Sequence, residues 1–403
     1  MTMRKISQNT SKLETETVLV LQGGWFIGAY ECGVIKGLNK NGVNFDVLAG
    51  SSIGAINTSI IASAQVKGKD DSWSILEEFW LSLSENMIFP DSFLKSPIQF
   101  LISYDEMIAV FSSLYSIACG NPKVFLPRWF SPNFGDYCMP YKWTYLYDTT
   151  PLKKKLSQYL DTDSLKRIDR RRDNNNTNDN NMRYPRLILT STDIQKGESV
   201  IFDNAYIDIT IDKIVACAGY PFYGLKWTES EGKYLWDGIL LTNTPMLEVV
   251  RRSPKMDKKF YIVDVFPRQQ KELPTNMIEV WHRARDIVFM DKTDKNIEIL
   301  KAIEKYLSLM RRMYRVLYSK SAKVDQITIE KLKEIEFEYH SLNQKHGASI
   351  TDLVRIGRIE GTLHYLFEDA DFSTYRIKKL ITEGEKDVDR ILSKKRINSN
   401  YDY

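Results

Sequence analysis

The first apolar run is Thr17-Val18-Leu19-Val20-Leu21, without polar alternation and closed by Gly23-Gly24. A short continuous run of this kind predicts a strand covered on both faces. From Gly28 to Leu38 the pattern changes, and Ala29, Cys32, Gly33, Val34 and Leu38 fall at helical spacing before the turn signal Asn41-Gly42. Phe45 to Ala49 predicts a second strand, followed by Gly50-Ser51-Ser52-Ile53-Gly54 and an Ala/Ile-rich helix through about Ala64. Strand, helix, strand, helix is the opening of a parallel α/β sheet. Further strands are predicted at Arg186–Ser191, Ser199–Phe202, Tyr234–Trp236 and Lys259–Val265. From about Asn276 the chain reads as mostly helical and charged. Ile377, Leu380, Ile381, Val388, Ile391 and Leu392 mark the apolar stripe of a helix over Thr374–Ile397.

Two stretches break this regularity. Residues 90–150 carry fourteen Phe, Trp or Tyr among several prolines, which predicts an irregular aromatic lobe. Within it, Tyr147 to Leu152 reads as a capped helix start with Pro151 in the first turn. Residues 170–182, rich in Arg and then Asn, read as a disordered surface loop. The polar residues 1–16 read as a flexible N-terminus.

At 403 residues and 43% hydrophobic content, the chain can bury a large core, so one large domain with an extension is expected. The balance of 56 basic against 52 acidic side chains argues against nucleic acid as a partner. Cys32, Cys119, Cys138 and Cys217 are widely spaced, matching neither a metal site nor a disulfide framework, so no metal and a reducing compartment are expected. No apolar run is long enough to span a bilayer, and the N-terminus lacks the apolar core of a Sec signal. The expectation is a cytoplasmic or peripheral membrane location, with signal-independent export left open.

The chemistry centres on Gly50-Ser51-Ser52-Ile53-Gly54, a G-x-S-x-G pattern set between a predicted strand and a predicted helix. A serine on such a tight turn projects its hydroxyl from the sheet top, and the helix behind favours developing negative charge. A serine needs a base. His282 follows Asp237 in the order an α/β-hydrolase triad requires, but it sits in a helix-like stretch; His340, His346 and His364 come later. Asp237, at a strand end beside Tyr234-Leu235-Trp236, is the carboxylate alternative, against a plain Asp-Gly turn. Backbone N–H groups of Gly23-Gly24-Trp25 suit an oxyanion or a phosphate. A dinucleotide fingerprint would need glycine at Trp25, and Asp46 is only a weak ribose-binding candidate.

Together, Gly23-Gly24 with Gly28, the Gly50–Gly54 elbow and Asp237-Gly238 resemble the patatin-like phospholipase family, in particular a bacterial branch with an added C-terminal segment. The resemblance extends through Tyr145–Leu152, Asn243-Thr244-Pro245, Arg283–Ile287 and Asp371-Phe372-Ser373. It implies an α/β three-layer sandwich with a mainly parallel sheet and a helical C-terminal extension. The corresponding division is an acyl hydrolase domain over 17–272 and an extension over 273–403, with 90–150 lining an acyl pocket, acting as a lid, or simply packing. It further implies Ser52 as nucleophile, Asp237 as base, Gly23, Gly24 and Trp25 as oxyanion hole, and hydrolysis of fatty-acyl esters through an acyl-serine. No cofactor is implied. The partner is a lipid or acyl ester, with peripheral membrane contact and oligomeric state open. The chain departs from the family at Trp25, where a third glycine is usual, at Ile27, often basic, and at Ile239, usually small. The competing expectation is therefore an impaired relative that binds lipid or a partner without turnover.

Overall fold

The structure is a computed structural model that describes residues 15–66, 71–84, 104–130, 142–168, 184–253, 256–270, 272–320, 350–358 and 368–399, with a few positions between 334 and 342. The chain opens with β1 (Thr15–Leu21), α1 (Gly28–Lys40), β2 (Val47–Ser51) and α2 (Ile53–Val66). It continues with α3 (Ser72–Ser82), α4 (Tyr104–Cys119), the short pair β3 (Leu126–Pro127) and β4 (Tyr147–Asp148), and α5 (Thr150–Tyr159). Then follow β5 (Arg186–Asp193), β6 (Glu198–Asp203), α6 (Ile211–Ala216), β7 (Thr228–Ser230), β8 (Lys233–Asp237), α7 (Met246–Arg252) and β9 (Asp257–Asp264). The C-terminal part holds α8 (Met277–Lys320), β10 (Ile350–Gly357) and α9 (Thr374–Ser399).

Eight strands form one sheet in the order β10-β9-β1-β2-β5-β8-β7, with β6 also on β5. The run from β10 to β5 is parallel, while β6, β7 and β8 pair antiparallel. Alternation along the strands divides the core. Leu19, Leu21, Leu48, Leu187 and Leu189 pack under α1, α2 and α9. Val18, Val20, Val47, Ala49 and Ile188 pack against α7 and α8 on the other face. This is the three-layer α/β sandwich, and it explains the continuous apolar runs: both faces of the strands are covered.

The C-terminal region is part of this body. β10 extends the sheet beside β9, and α9 lies against α1 at backbone contact. A Cβ on Gly33 would meet the Ile381 carbonyl oxygen at 1.9 Å, and one on Gly384 would meet the Tyr30 carbonyl oxygen at 2.2 Å. Glycine at both positions is what lets the two helices close together. Tyr30 adds a 2.9 Å hydrogen bond to Asp387.

One expectation is corrected. The stretch 90–150 is not wholly irregular, because α4 is a 16-residue helix. Its residues fall in the proline-free interval between Pro97 and Pro122, so the composition that suggested irregularity lies outside it. The region after 273 is mainly helical, as expected, and it also supplies a strand to the main sheet. The expected loop at 170–182 lies outside the described residues, as do most of the N-terminal segment and parts of the aromatic stretch. Among the described residues no helix is long and apolar enough to cross a membrane.

Candidate active site

The strand register brings the site together. Along β5, Thr190 pairs with Ser51 of β2 and with Ile201 of β6, so β2 and β6 occupy opposite edges. The next residue, Ser191, pairs with Val200 of β6 and with Asp237 of β8. β8 therefore takes over the edge that β2 leaves, running the opposite way, and the C-terminal ends of the two strands meet head-on. Ser52 leaves the end of one strand and Asp237 closes the other. In β1, Leu21 pairs with Gly50, which brings Gly23 alongside Ser52.

Ser52 sits between β2 and α2 with φ of 55°, a left-handed conformation unusual for a serine. The turn is compressed: a Cβ on Gly50 would lie 2.3 Å from the Gly54 carbonyl oxygen, and one on Gly54 2.6 Å from that of Leu21. Both glycines of the G-x-S-x-G pattern are thus required by close backbone approach. The Ser52 hydroxyl donates to Asp237 Oδ2 at 2.6 Å. Asp237 is fully buried, its Oδ1 accepts from the Ile239 N–H at 2.9 Å, and its backbone oxygen accepts from the Thr192 hydroxyl at 2.9 Å. The carboxylate is thereby fixed with one oxygen aimed at the serine.

The glycine loop lies over this pair. The Gly23 N–H donates to Asn243 Oδ1 at 2.9 Å. The N–H groups of Gly24 and Trp25 meet no acceptor among the described residues. Trp25 has φ of 52°, where a residue with a Cβ costs roughly 1–2 kcal/mol. Its indole stacks on Tyr223 (5.6 Å between ring centroids, 10° between planes) and on Phe125 (6.3 Å, 21°). Aromatic pairs contribute about 0.5–1.5 kcal/mol each beyond burial, enough to offset the backbone term.

Residues far downstream complete the walls. Tyr220, Phe266, Arg285, Phe289 and Asp369 line the space over Ser52, which amounts to about 20 Å³, room for about one water. Arg285 donates to Asp369 Oδ2 at 2.6 Å, and the Tyr223 hydroxyl donates to the same oxygen at 2.6 Å. Burial works against the Arg285 charge, but Asp369, Asp286 and Glu368 outweigh it and hold the guanidinium firmly protonated. Burial pushes the Tyr220 phenol up to about 12, with the Asp237 charge adding to it.

His282 is buried against Glu368, with its Nδ1 3.3 Å from Oε1, and does not line the space over Ser52. Burial pushes Glu368 up, but the His282 hydrogen bond and Arg285, Arg358 and Arg376 outweigh it and hold the carboxyl well below the usual range. The other three histidines lie outside the described residues. Asp46 accepts from the Thr17 N–H at 2.8 Å, at the opposite end of β1 from the glycine loop. Among the described residues no group of three or more His, Cys, Asp or Glu is placed to hold a metal. Sequence reasoning did not single out Tyr223 or Asp369, which carry no local signature; Arg285 lies in the Arg283–Ile287 stretch of the resemblance but was given no role in the site.

The patatin-like phospholipase family model matches residues 19–250, more than half of the chain, and contains Ser52 and Asp237. The chain belongs to the patatin-like phospholipase family. Membership makes lipid acyl hydrolysis the coarse activity of the family in which it stands. The chain is also similar to VipD from Legionella pneumophila, at 12% identity and a TM-score of 0.35, over 98% of this chain and 72% of that one. Comparison with curated proteins gave no match.

Proposed function

We propose that this patatin-like protein hydrolyses fatty-acyl esters of lipids by a phospholipase A-like reaction, with Ser52 as nucleophile and Asp237 as base. The observation that carries the reading is the 2.6 Å hydrogen bond from the Ser52 hydroxyl to the buried Asp237 carboxylate. Asp237 takes the hydroxyl proton as Ser52 Oγ attacks the ester carbonyl carbon. The N–H groups of Gly24 and Trp25 receive the oxyanion, with Gly23 held by Asn243 as a brace rather than a donor. Collapse breaks the ester C–O bond, and the leaving alcohol takes the proton from Asp237. Water then gives a proton to Asp237, adds to the acyl-serine and releases the fatty acid, and Ser52 recovers the proton. The reading needs no histidine, and among the described residues none lines the space over Ser52.

The tight packing over Ser52 supports a second reading, a relative that binds lipid without turnover. A fluorophosphonate probe separates them. The hydrolase labels covalently as wild type and fails to label as Ser52→Ala; a wild-type protein that resists the probe under lipid and detergent alike favours the binder. On ester substrates, Ser52→Ala and Asp237→Asn are each expected to lose at least about 10³-fold in kcat, because nucleophile and base act as one unit. Turnover retained in either purified, folded variant rejects the dyad.

A further inference from the structure

Asp369 stands in the wall of the space over Ser52, on a segment beyond the residues matched by the family model. Its carboxylate is only half used. Oδ2 accepts from Arg285 and from the Tyr223 hydroxyl, both at 2.6 Å. Oδ1 is buried and meets no donor among the described residues, in a residue that is only 6% exposed. A buried acceptor without a donor is costly, more so when it carries charge. On its other side Asp369 borders a cavity where the Ile117, Phe125, Leu225 and Ala370 side chains have no N–H or O–H to give. The space over Ser52, which Asp237 also borders and which has room for about one water, is the side from which a donor can reach it.

We propose that Asp369 is a further catalytic residue, its Oδ1 receiving the second hydrogen of the water that cleaves the acyl-serine and thereby selecting water over an alcohol as acyl acceptor. The inference rests on the Ser52–Asp237 reading above. In that reaction one O–H bond of the water breaks as Asp237 takes the proton, and the water oxygen bonds to the acyl carbon. The bond from that carbon to Ser52 Oγ then breaks, and Asp237 returns the proton to Oγ. The other hydrogen stays on the oxygen and leaves with the fatty acid. Held by Asp237 alone, the water turns about a single hydrogen bond; a second acceptor fixes its lone pair on the acyl carbon. Methanol has one O–H. It satisfies Asp237 but leaves Oδ1 bare, a difference worth about tenfold or more between the two acceptors.

Product partitioning reads this step alone. Acid and methyl ester arise from the same acyl-serine, so their ratio is independent of how much protein is folded and of how fast it is acylated. Full-length wild type is given p-nitrophenyl butyrate in aqueous methanol, and butyric acid and methyl butyrate are quantified. Per mole of acceptor, wild type is expected to capture water about tenfold or more over methanol. In Asp369→Asn the amide oxygen stays with Arg285, so the NH2 group takes the place of Oδ1 and no acceptor remains there. The ratio of methyl ester to acid is then expected to rise about tenfold. A wild type that captures methanol as readily as water overturns the proposal, and that measurement needs no variant to fold. An active Asp369→Asn with an unchanged ratio overturns it too. Phenyl butyrate checks the underlying reading: a shared acyl-serine gives the same ratio from both esters. A ratio that follows the leaving group, or turnover undiminished in Ser52→Ala, overturns the acyl-serine itself and the role of Asp369 with it.

Discussion

At the residue scale, the chain places a tryptophan where a tight loop next to the nucleophile favours glycine. Its left-handed backbone is strained, and its ring is held between Phe125 and Tyr223. Trp25→Gly removes both. The strain relief of roughly 1–2 kcal/mol opposes the roughly 3–5 kcal/mol typical of deleting a packed tryptophan, leaving a net destabilisation on the order of 2 kcal/mol. Its N–H survives, and the space over Ser52, which the indole lines, opens. The variant is therefore expected to unfold at lower urea while hydrolysing long-chain esters faster than wild type. A fall in the long-chain rate, with folding intact, means the indole positions the substrate instead of blocking it. The Ser52 turn was legible because two glycines around a strained serine make a local pattern, whereas Asp237-Gly238 by itself reads as a plain turn and was assigned as the base only through the family resemblance. Tyr223 and Asp369 were not legible, because they meet Arg285 only through the fold.

At the element scale, runs of Val, Leu and Ile announced β1, β2, β5 and β9, since strands covered on both faces need no polar alternation. β10 escaped notice for the opposite reason. It is an edge strand, with Asp352 and Arg355 among Leu353, Val354 and Ile356, in a stretch otherwise read as helical. Its Arg355 is not a solvated charge but pairs with Asp264 at the end of β9, whose other oxygen accepts from Gln22 at 2.8 Å just after β1. Burial pushes the Asp264 carboxyl up to about 6 against the pull of Arg355. The sign follows from linkage: the native state keeps a proton that the unfolded chain releases, so this group's contribution to stability is full below about pH 4 and is lost as pH rises to about 6. A shift of about 2 units corresponds to about 3 kcal/mol at most. Urea midpoints measured from pH 4 to 7 are expected to show wild type losing stability relative to Asp264→Asn across that interval and running parallel above it. A wild type that gains on the variant as pH rises identifies Asp264 as a charged partner of Arg355 throughout.

At the scale of the whole molecule, the residues matched by the family model end at 250, yet the core does not. Without β10, the β9 edge offers an open row of backbone N–H and C=O groups, the condition that invites association between chains. Without α9, the α1 face over Gly33 and Gly37 loses Ile377, Leu380, Ile381 and Val388, all buried. Each such side chain contributes about 1.5–3 kcal/mol when fully buried, so the four exceed half of a typical domain's net stability. The space over Ser52 would also lose Arg285, Phe289 and Asp369. A fragment ending at residue 272 is thus expected to be recovered aggregated or as an expanded, dye-binding species, whereas the full chain gives a cooperative urea transition. Co-expressing 273–403 as a separate chain is expected to restore a soluble complex, because the contacts it supplies are packing contacts and not a covalent requirement. A 17–272 fragment that unfolds cooperatively and labels with fluorophosphonate would establish the C-terminal region as an accessory to an already complete domain.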